Sequence, residues 1–162
     1  MRPLLAALAI VAGALAVAAC GKTTIDAEKG EAFIRGVVTE QIAARVRAVR
    51  CPDDVKTKKG DTFMCAVTGA DGSRGNVIVT QRDDDGNVTV DAPFLHVREA
   101  ETVMAEQIAK EVKAHDVEIE CPEIVVVKTD ALFTCHASSA GKQREVSARL
   151  TDEAGHFRYR LS

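Results

Sequence analysis

From about Glu31 to Val49 apolar side chains recur at four- and three-residue steps: Ile34, Val38, Ile42, Val46 and Val49, with Phe33 and Val37 widening the stripe. That period predicts an α-helix over 31–49, with Glu31, Arg35, Glu40, Arg45 and Arg47 on its wet side and Gly36 weakening its middle. Past Cys51 the period shortens to two. Strands are predicted at 55–58, at 62–68 with Phe63, Cys65 and Val67 on one face, at 76–82 with Val77 and Val79 inward, and at 88–90. Lys59-Gly60-Asp61, Ala70-Asp71-Gly72-Ser73 and Asp84-Asp85-Gly86-Asn87 supply the turns. The order then returns: a helix over 97–113 bearing Ala100, Val103, Met104, Ile108 and Val112, then strands at 124–128, 132–137, 145–150 and 156–161. One helix ahead of four short strands predicts an antiparallel sheet whose apolar face the helix covers. The fold class is therefore α+β, built twice.

The duplication is visible residue by residue. Cys121-Pro122 answers Cys51-Pro52, Phe133-Thr134-Cys135 answers Phe63-Met64-Cys65, and thirteen residues separate the cysteines in both copies. After a one-residue deletion Gly72, Val77, Asp83 and Gly86 are answered 69 residues on by Gly141, Val146, Asp152 and Gly155. Upstream, Glu40-Gln41-Ile42 and Glu106-Gln107-Ile108 match at an offset of 66, which implies a loop longer by four residues (115–118) in the second copy. Pro93 marks the linker. The expected organisation is 1–19 as a signal peptide, 20–30 as a lipidated tether, 31–92 as the first repeat and 93–162 as the second.

The leader follows from Arg2, an apolar run from Leu4 to Ala16, and Val17-Ala18-Ala19 before Cys20. Small residues directly before a cysteine resemble the lipobox of bacterial lipoproteins. There the thiol receives a diacylglyceryl group and the new N-terminus a further acyl chain such as palmitate, enough for stable anchoring. Cysteine parity agrees, because Cys20 is the odd one of five. The expected location is the extracytoplasmic face of the cell membrane, with the lipid as the membrane contact.

Beyond the leader, whose only charged side chain is Arg2, 20 basic and 24 acidic residues remain. No basic stripe runs along the chain and no Trp is present, so nucleic acid is not an expected partner. Repeats of some 60 residues have marginal cores and need staples, which an oxidising compartment permits.

Candidate chemistry is thin. Cys51, Cys65, Cys121 and Cys135 lack the close spacing of a redox or zinc pair. Asp83-Asp84-Asp85 invites weak calcium binding but has no completing ligands. His96, His115, His136 and His156 are scattered, His115-Asp116 has no nucleophile nearby, and Ser138-Ser139 sits in a turn without an elbow motif. No catalytic residue, metal or cofactor is expected. The chain reads as a non-enzymatic binding or adaptor module with a protein or envelope-component partner. A secreted-enzyme inhibitor and a small envelope hydrolase are the alternatives. The first requires exposed aromatics at the groove between repeats, where Phe94 is the one candidate; the second requires a pocket collecting histidines and carboxylates.

Cys-Pro, then Gly-x-x-Phe-x-Cys and a valine-rich hairpin behind a lipobox, resembles an uncharacterised actinobacterial lipoprotein domain family, domain of unknown function 4333. Cys51, Pro52, Gly60, Phe63 and Cys65 carry the likeness in the first repeat. In the second, Cys121, Pro122, Phe133 and Cys135 carry it, with Asp130 in place of the glycine. The resemblance implies an envelope address and a disulfide pattern, and no activity. The tandem layout is also similar to that of the secreted β-lactamase inhibitory protein. Duplication itself argues for self-sufficient units, hence Cys51–Cys65 and Cys121–Cys135. A hairpin turning at Lys59-Gly60 would bring residue 54 opposite Cys65 and let Cys51 bend back across the gap.

Overall fold

The computed structural model describes residues 24–162. The expected signal peptide, Cys20 and the start of the tether lie outside them. Each repeat is a helix followed by a four-stranded antiparallel meander: α1 (Ala27–Ile42) with β1 (Val46–Arg50), β2 (Thr62–Gly69), β3 (Arg74–Gln81) and β4 (Val88–Asp91), then α2 (Val97–Val112) with β5 (Glu118–Glu120), β6 (Leu132–Ser139), β7 (Lys142–Leu150) and β8 (Phe157–Leu161). Within each sheet the strands lie in chain order, so no crossover is needed. Ile34, Val38 and Ile42 cover Val49, Cys65, Val67, Val77 and Val79 in the first core. Met104 and Ile108 do the same over Phe133, Cys135, Val146 and Leu150 in the second. The expected facing of β2 and β3 holds, and β6 and β7 repeat it.

The first strand of each sheet lies elsewhere than expected. The helix predicted to reach Val49 stops at Ile42, capped by left-handed Ala43, and Val46–Arg50 leaves it to pair with β2. A register shift between Val46 and Ala48 admits one extra residue, so Val46 and Val49, three apart, both meet the core. Three-residue spacing is also helical spacing, and here a bulge produced it. Segments 55–58 and 124–128 are not sheet strands. Each instead meets the lead-in to its helix: Thr24 bridges Lys56, and Phe94 bridges Val126. The Ile25 N–H reaches Val55 O at 2.7 Å, and the Leu95 N–H reaches Val125 O at 2.9 Å. Residues 24–30, read as tether, thus belong to the folded unit, with Asp26 capping α1 through the Lys29 N–H.

These pairs also correct the phase of the repeat. Helices, left-handed caps at Ala43 and Lys113, and lead-in bridges all superpose at an offset of 70, so 115–118 is no insertion. A four-residue slip is close to one helical turn of 3.6 and preserves the apolar stripe, so the sequence match at 66 looked equally sound. In the true phase Ile34 answers Met104 and Val38 answers Ile108, while Val103 and Val112 stand exposed.

The repeats are joined by packing as well as by chain. Phe94 and Ile124 lie in the core of the first repeat. A Cβ on Gly75 would sit 2.5 Å from the Phe94 ring, and one on Gly69 would sit 2.8 Å from Glu123 Cβ, so these two positions admit only glycine. Above this contact the buried Glu123 carboxylate accepts the Arg45 N–H (2.9 Å) and Arg45 Nε (2.6 Å), with Arg98 Nη2 at 3.3 Å. The Glu123 N–H donates to Asp71 Oδ2 (3.1 Å) and the Ile124 N–H to Ser73 Oγ (2.9 Å).

Candidate functional site

Both disulfides pair as expected, with Cα separations of 4.3 Å for Cys51–Cys65 and 4.2 Å for Cys121–Cys135. Their geometry differs from the bent hairpin imagined from sequence. Arg50 is the register partner of Ala66, so Cys51 continues β1 straight into the place opposite Cys65, as Cys121 continues β5 opposite Cys135. Such close cross-strand positions suit a disulfide directly. Two glutamates that sequence reasoning passed over hold these corners. Glu31 Oε1 accepts the Cys51 N–H at 3.1 Å, and Glu101 Oε1 accepts the Cys121 N–H at 2.9 Å. Each carboxylate also holds an arginine at 3.0 Å, Arg50 in one repeat and Arg98 in the other. A glutamate twenty residues before the Cys-Pro pair, present twice, was the available signal.

The candidate polar residues serve turns. Asp83 accepts the Asp85 and Asn87 N–H groups and Asn87 Nδ2, and Asp84 accepts the Lys59 N–H, so two of the three aspartates at 83–85 are spent on the protein's own donors. Asp116 makes no hydrogen bond with His115. It accepts the Ser139 hydroxyl at 2.9 Å and the Ala140 N–H, and the Ser139 hydroxyl above all lowers its pKa. Ser138 and Ser139, expected in a turn, are instead the last two residues of β6, paired with Gln143 and Lys142, and His136 stands exposed between its register partners Glu120 and Glu145.

His156 requires closer attention, because its Nδ1 lies 2.6 Å from Asp152 Oδ2 and this contact, first of several, lowers the Asp152 pKa. A His–Asp pair is half of a hydrolytic triad. Yet the same turn in the first repeat makes the same contact with an amide, Asn87 Nδ2 to Asp83 Oδ2 at 2.7 Å. An amide has no acid–base role, so the contact is a turn clasp that histidine and asparagine both satisfy.

Next to His156 a groove of about 980 Å³ runs between α2 and the edge strand β8. Its wall includes His96, Val103 and Gln107, facing Phe157 and Tyr159. Two histidines therefore share one concavity, as a hydrolase would require, but the lining contains no serine, threonine or cysteine. Burial, then the charge and hydrogen bond of Glu111 at 3.3 Å, raise the Tyr159 pKa and keep its hydroxyl protonated. The groove offers apolar surface, hydrogen-bonding groups and an open strand edge. This is equipment for holding a ligand. At the equivalent place on α1, Phe33 is exposed as Val103 is on α2. Phe94, the aromatic an inhibitor would present between the repeats, is buried.

No curated protein and no solved structure matches this chain. The family described as domain of unknown function (DUF4333) matches residues 9–86 and again 89–155. Together with the two superposable helix-on-sheet units, this makes the chain a member of the DUF4333 family in two tandem copies.

Proposed function

We propose that the chain is a lipid-anchored, extracytoplasmic, non-enzymatic binding module of the cell envelope, receiving a protein or envelope component in the groove between α2 and β8. The observation that carries the reading is that groove: an open sheet edge beside apolar Val103, Phe157 and Tyr159, with no serine, threonine or cysteine in its lining. Two disulfides support an oxidising compartment, and the apolar run ending at Cys20 supports the anchor. Three residues separate Cys20 from bridged Thr24, so the fold would ride close to the bilayer.

A photo-crosslinking residue at Val103, in cells making the full-length chain, should capture a discrete partner. The same residue at Met64, exposed on the first sheet, should not. Identical products at both positions, or none at Val103, would refute the groove as the binding site. Mass analysis of the membrane fraction tests the anchor separately, since an unmodified Cys20 in most molecules excludes it.

A further inference from the structure

The face of the second sheet turned away from α2 carries charges that the first sheet lacks. Val146, Ala148 and Leu150 point into the core, which turns Ser147, Arg149, Arg158 and Arg160 outward. Arg149 stands directly opposite Arg158, and Ser147 opposite Arg160. Opposed side chains have Cβ atoms about 5 Å apart and diagonal neighbours lie about 7 to 8 Å away, so three guanidinium groups share one small strip. Like charges so placed repel unless an anion lies between them. The protein supplies little of one. Asp130 lies 3.6 Å from Arg149 with both groups exposed, and among the described residues no carboxylate lies within ion-pair distance of Arg158 or Arg160.

The backbone does not demand this arrangement. In the first repeat the same four places hold Ile78, Thr80, Thr89 and Asp91, with Thr80 opposite Thr89 and Ile78 opposite Asp91. Protection of an edge strand would explain arginine on β8 but not on β7, which is paired on both sides. Charge along the chain gave no hint of it, because Arg149 is brought to Arg158 and Arg160 only by sheet register.

The rest of the face narrows the ligand. Glu118 and Glu120 stand exposed toward its other end, around His136, and Glu145 lies between, the next outward residue to Ser147 along β7. A bilayer laid across the sheet would press these carboxylates against anionic headgroups, whereas a narrow chain over the three arginines would avoid Glu118 and Glu120 on β5 and meet Glu145 only where it ran on along β7 past Ser147. The neighbouring outward residues are Thr134 and Ser147, hydroxyls with no aromatic platform for a base. Guanidinium forks match phosphate oxygens in pairs. From these features we infer that the strip formed by Arg149, Arg158 and Arg160 binds a linear phosphate-bearing polymer without stacked bases. Arg158 and Arg160 also border the groove through the edge strand they sit on, but Arg149 lies outside its lining, and the inference does not depend on the groove's having a ligand.

Short inorganic polyphosphate titrated into the isotope-labelled full-length chain should give saturable amide shifts centred on these three arginines. Three contacts to a flexible single chain predict about twentyfold weaker binding for a fourfold rise in salt. R149Q/R158Q/R160Q should abolish the shifts, and D130N, which removes the competing carboxylate, should tighten binding. Absent or salt-independent binding, shifts centred elsewhere, or an affinity unchanged in D130N would overturn the inference. Equal binding of polyglutamate would make the ligand an acidic peptide, and binding to phosphatidylglycerol vesicles but not to polyphosphate would make it a membrane; either result also overturns it.

Discussion

The two repeats share a skeleton and differ in what they turn toward their surroundings. Kept in both are the Cys–Cys staple, the helix glutamate on the Cys-Pro corner, the aspartate clasp of the last turn and the lead-in bridge. Each fixes backbone where the meander has to bend. Divergence falls where a side chain meets a neighbour. Buried Gln81 satisfies the Lys58 N–H and Lys56 O in the first loop, and Leu150 fills the same place with hydrocarbon in the second. Asp53 stands exposed where Glu123 locks the junction, and two threonines stand where Arg149 faces Arg158. After duplication, backbone-holding positions stayed and contact-making positions changed hands.

Changes that treat the two copies unequally test this contrast. Phe133→Ala should cost about 3 to 5 kcal/mol, because the ring is buried and packs edge-on against Phe157 at 6.2 Å. Phe63→Ala, at a half-buried site, should cost clearly less in the same denaturant melts; equal losses would mean the cores are equivalent after all. Removing either disulfide should cost roughly 3 kcal/mol, the same in both repeats, since both close loops of equal length. A difference beyond error would show that one corner is strained.

The junction gives a sharper asymmetry. Glu123→Ala should cost about 1 to 3 kcal/mol through lost charged hydrogen bonds and should uncouple the melting of the two repeats; Asp53→Ala should do neither. Acid should loosen the same junction. Burial alone would raise the Asp71 pKa, but hydrogen bonds from the Ser73 hydroxyl and the Glu123 and Ser73 N–H groups outweigh it and lower the value. A depressed carboxylate contributes stability above its unfolded pKa, near 3.8, and loses it as pH falls through the folded value. Asp71→Asn should therefore flatten the acid limb of the stability curve below about pH 4. The smallest effect belongs to His156→Asn, which installs the first repeat's clasp in the second. Its melting midpoint should stay put, and a loss of any hydrolytic activity of the full chain would instead restore His156 as a general base.

Much of this architecture was legible beforehand. Strict alternation in β2 and β3 set their facing, because a strand with one buried face tolerates no slip of one residue. Equal cysteine spacing in two copies argued for pairing within each unit. What misled was local ambiguity: Val46 and Val49 have helical spacing in a bulged strand, and a four-residue slip of α2 leaves its apolar face intact.

The residue order by itself therefore determined the duplication, the helix-then-meander plan, the inward faces and the cystine pairs, all of which rest on short-range period or on identity between copies. Tertiary structure alone decided where the first strand of each sheet begins, which carboxylate locks the repeats together and which arginines stand side by side. Glu123 and Arg45 are 78 residues apart, and Arg149 meets Arg158 through a register that only the closed β7–β8 hairpin sets. Periodicity tells a side chain which way to face, but only chain closure tells it which neighbour it will find there.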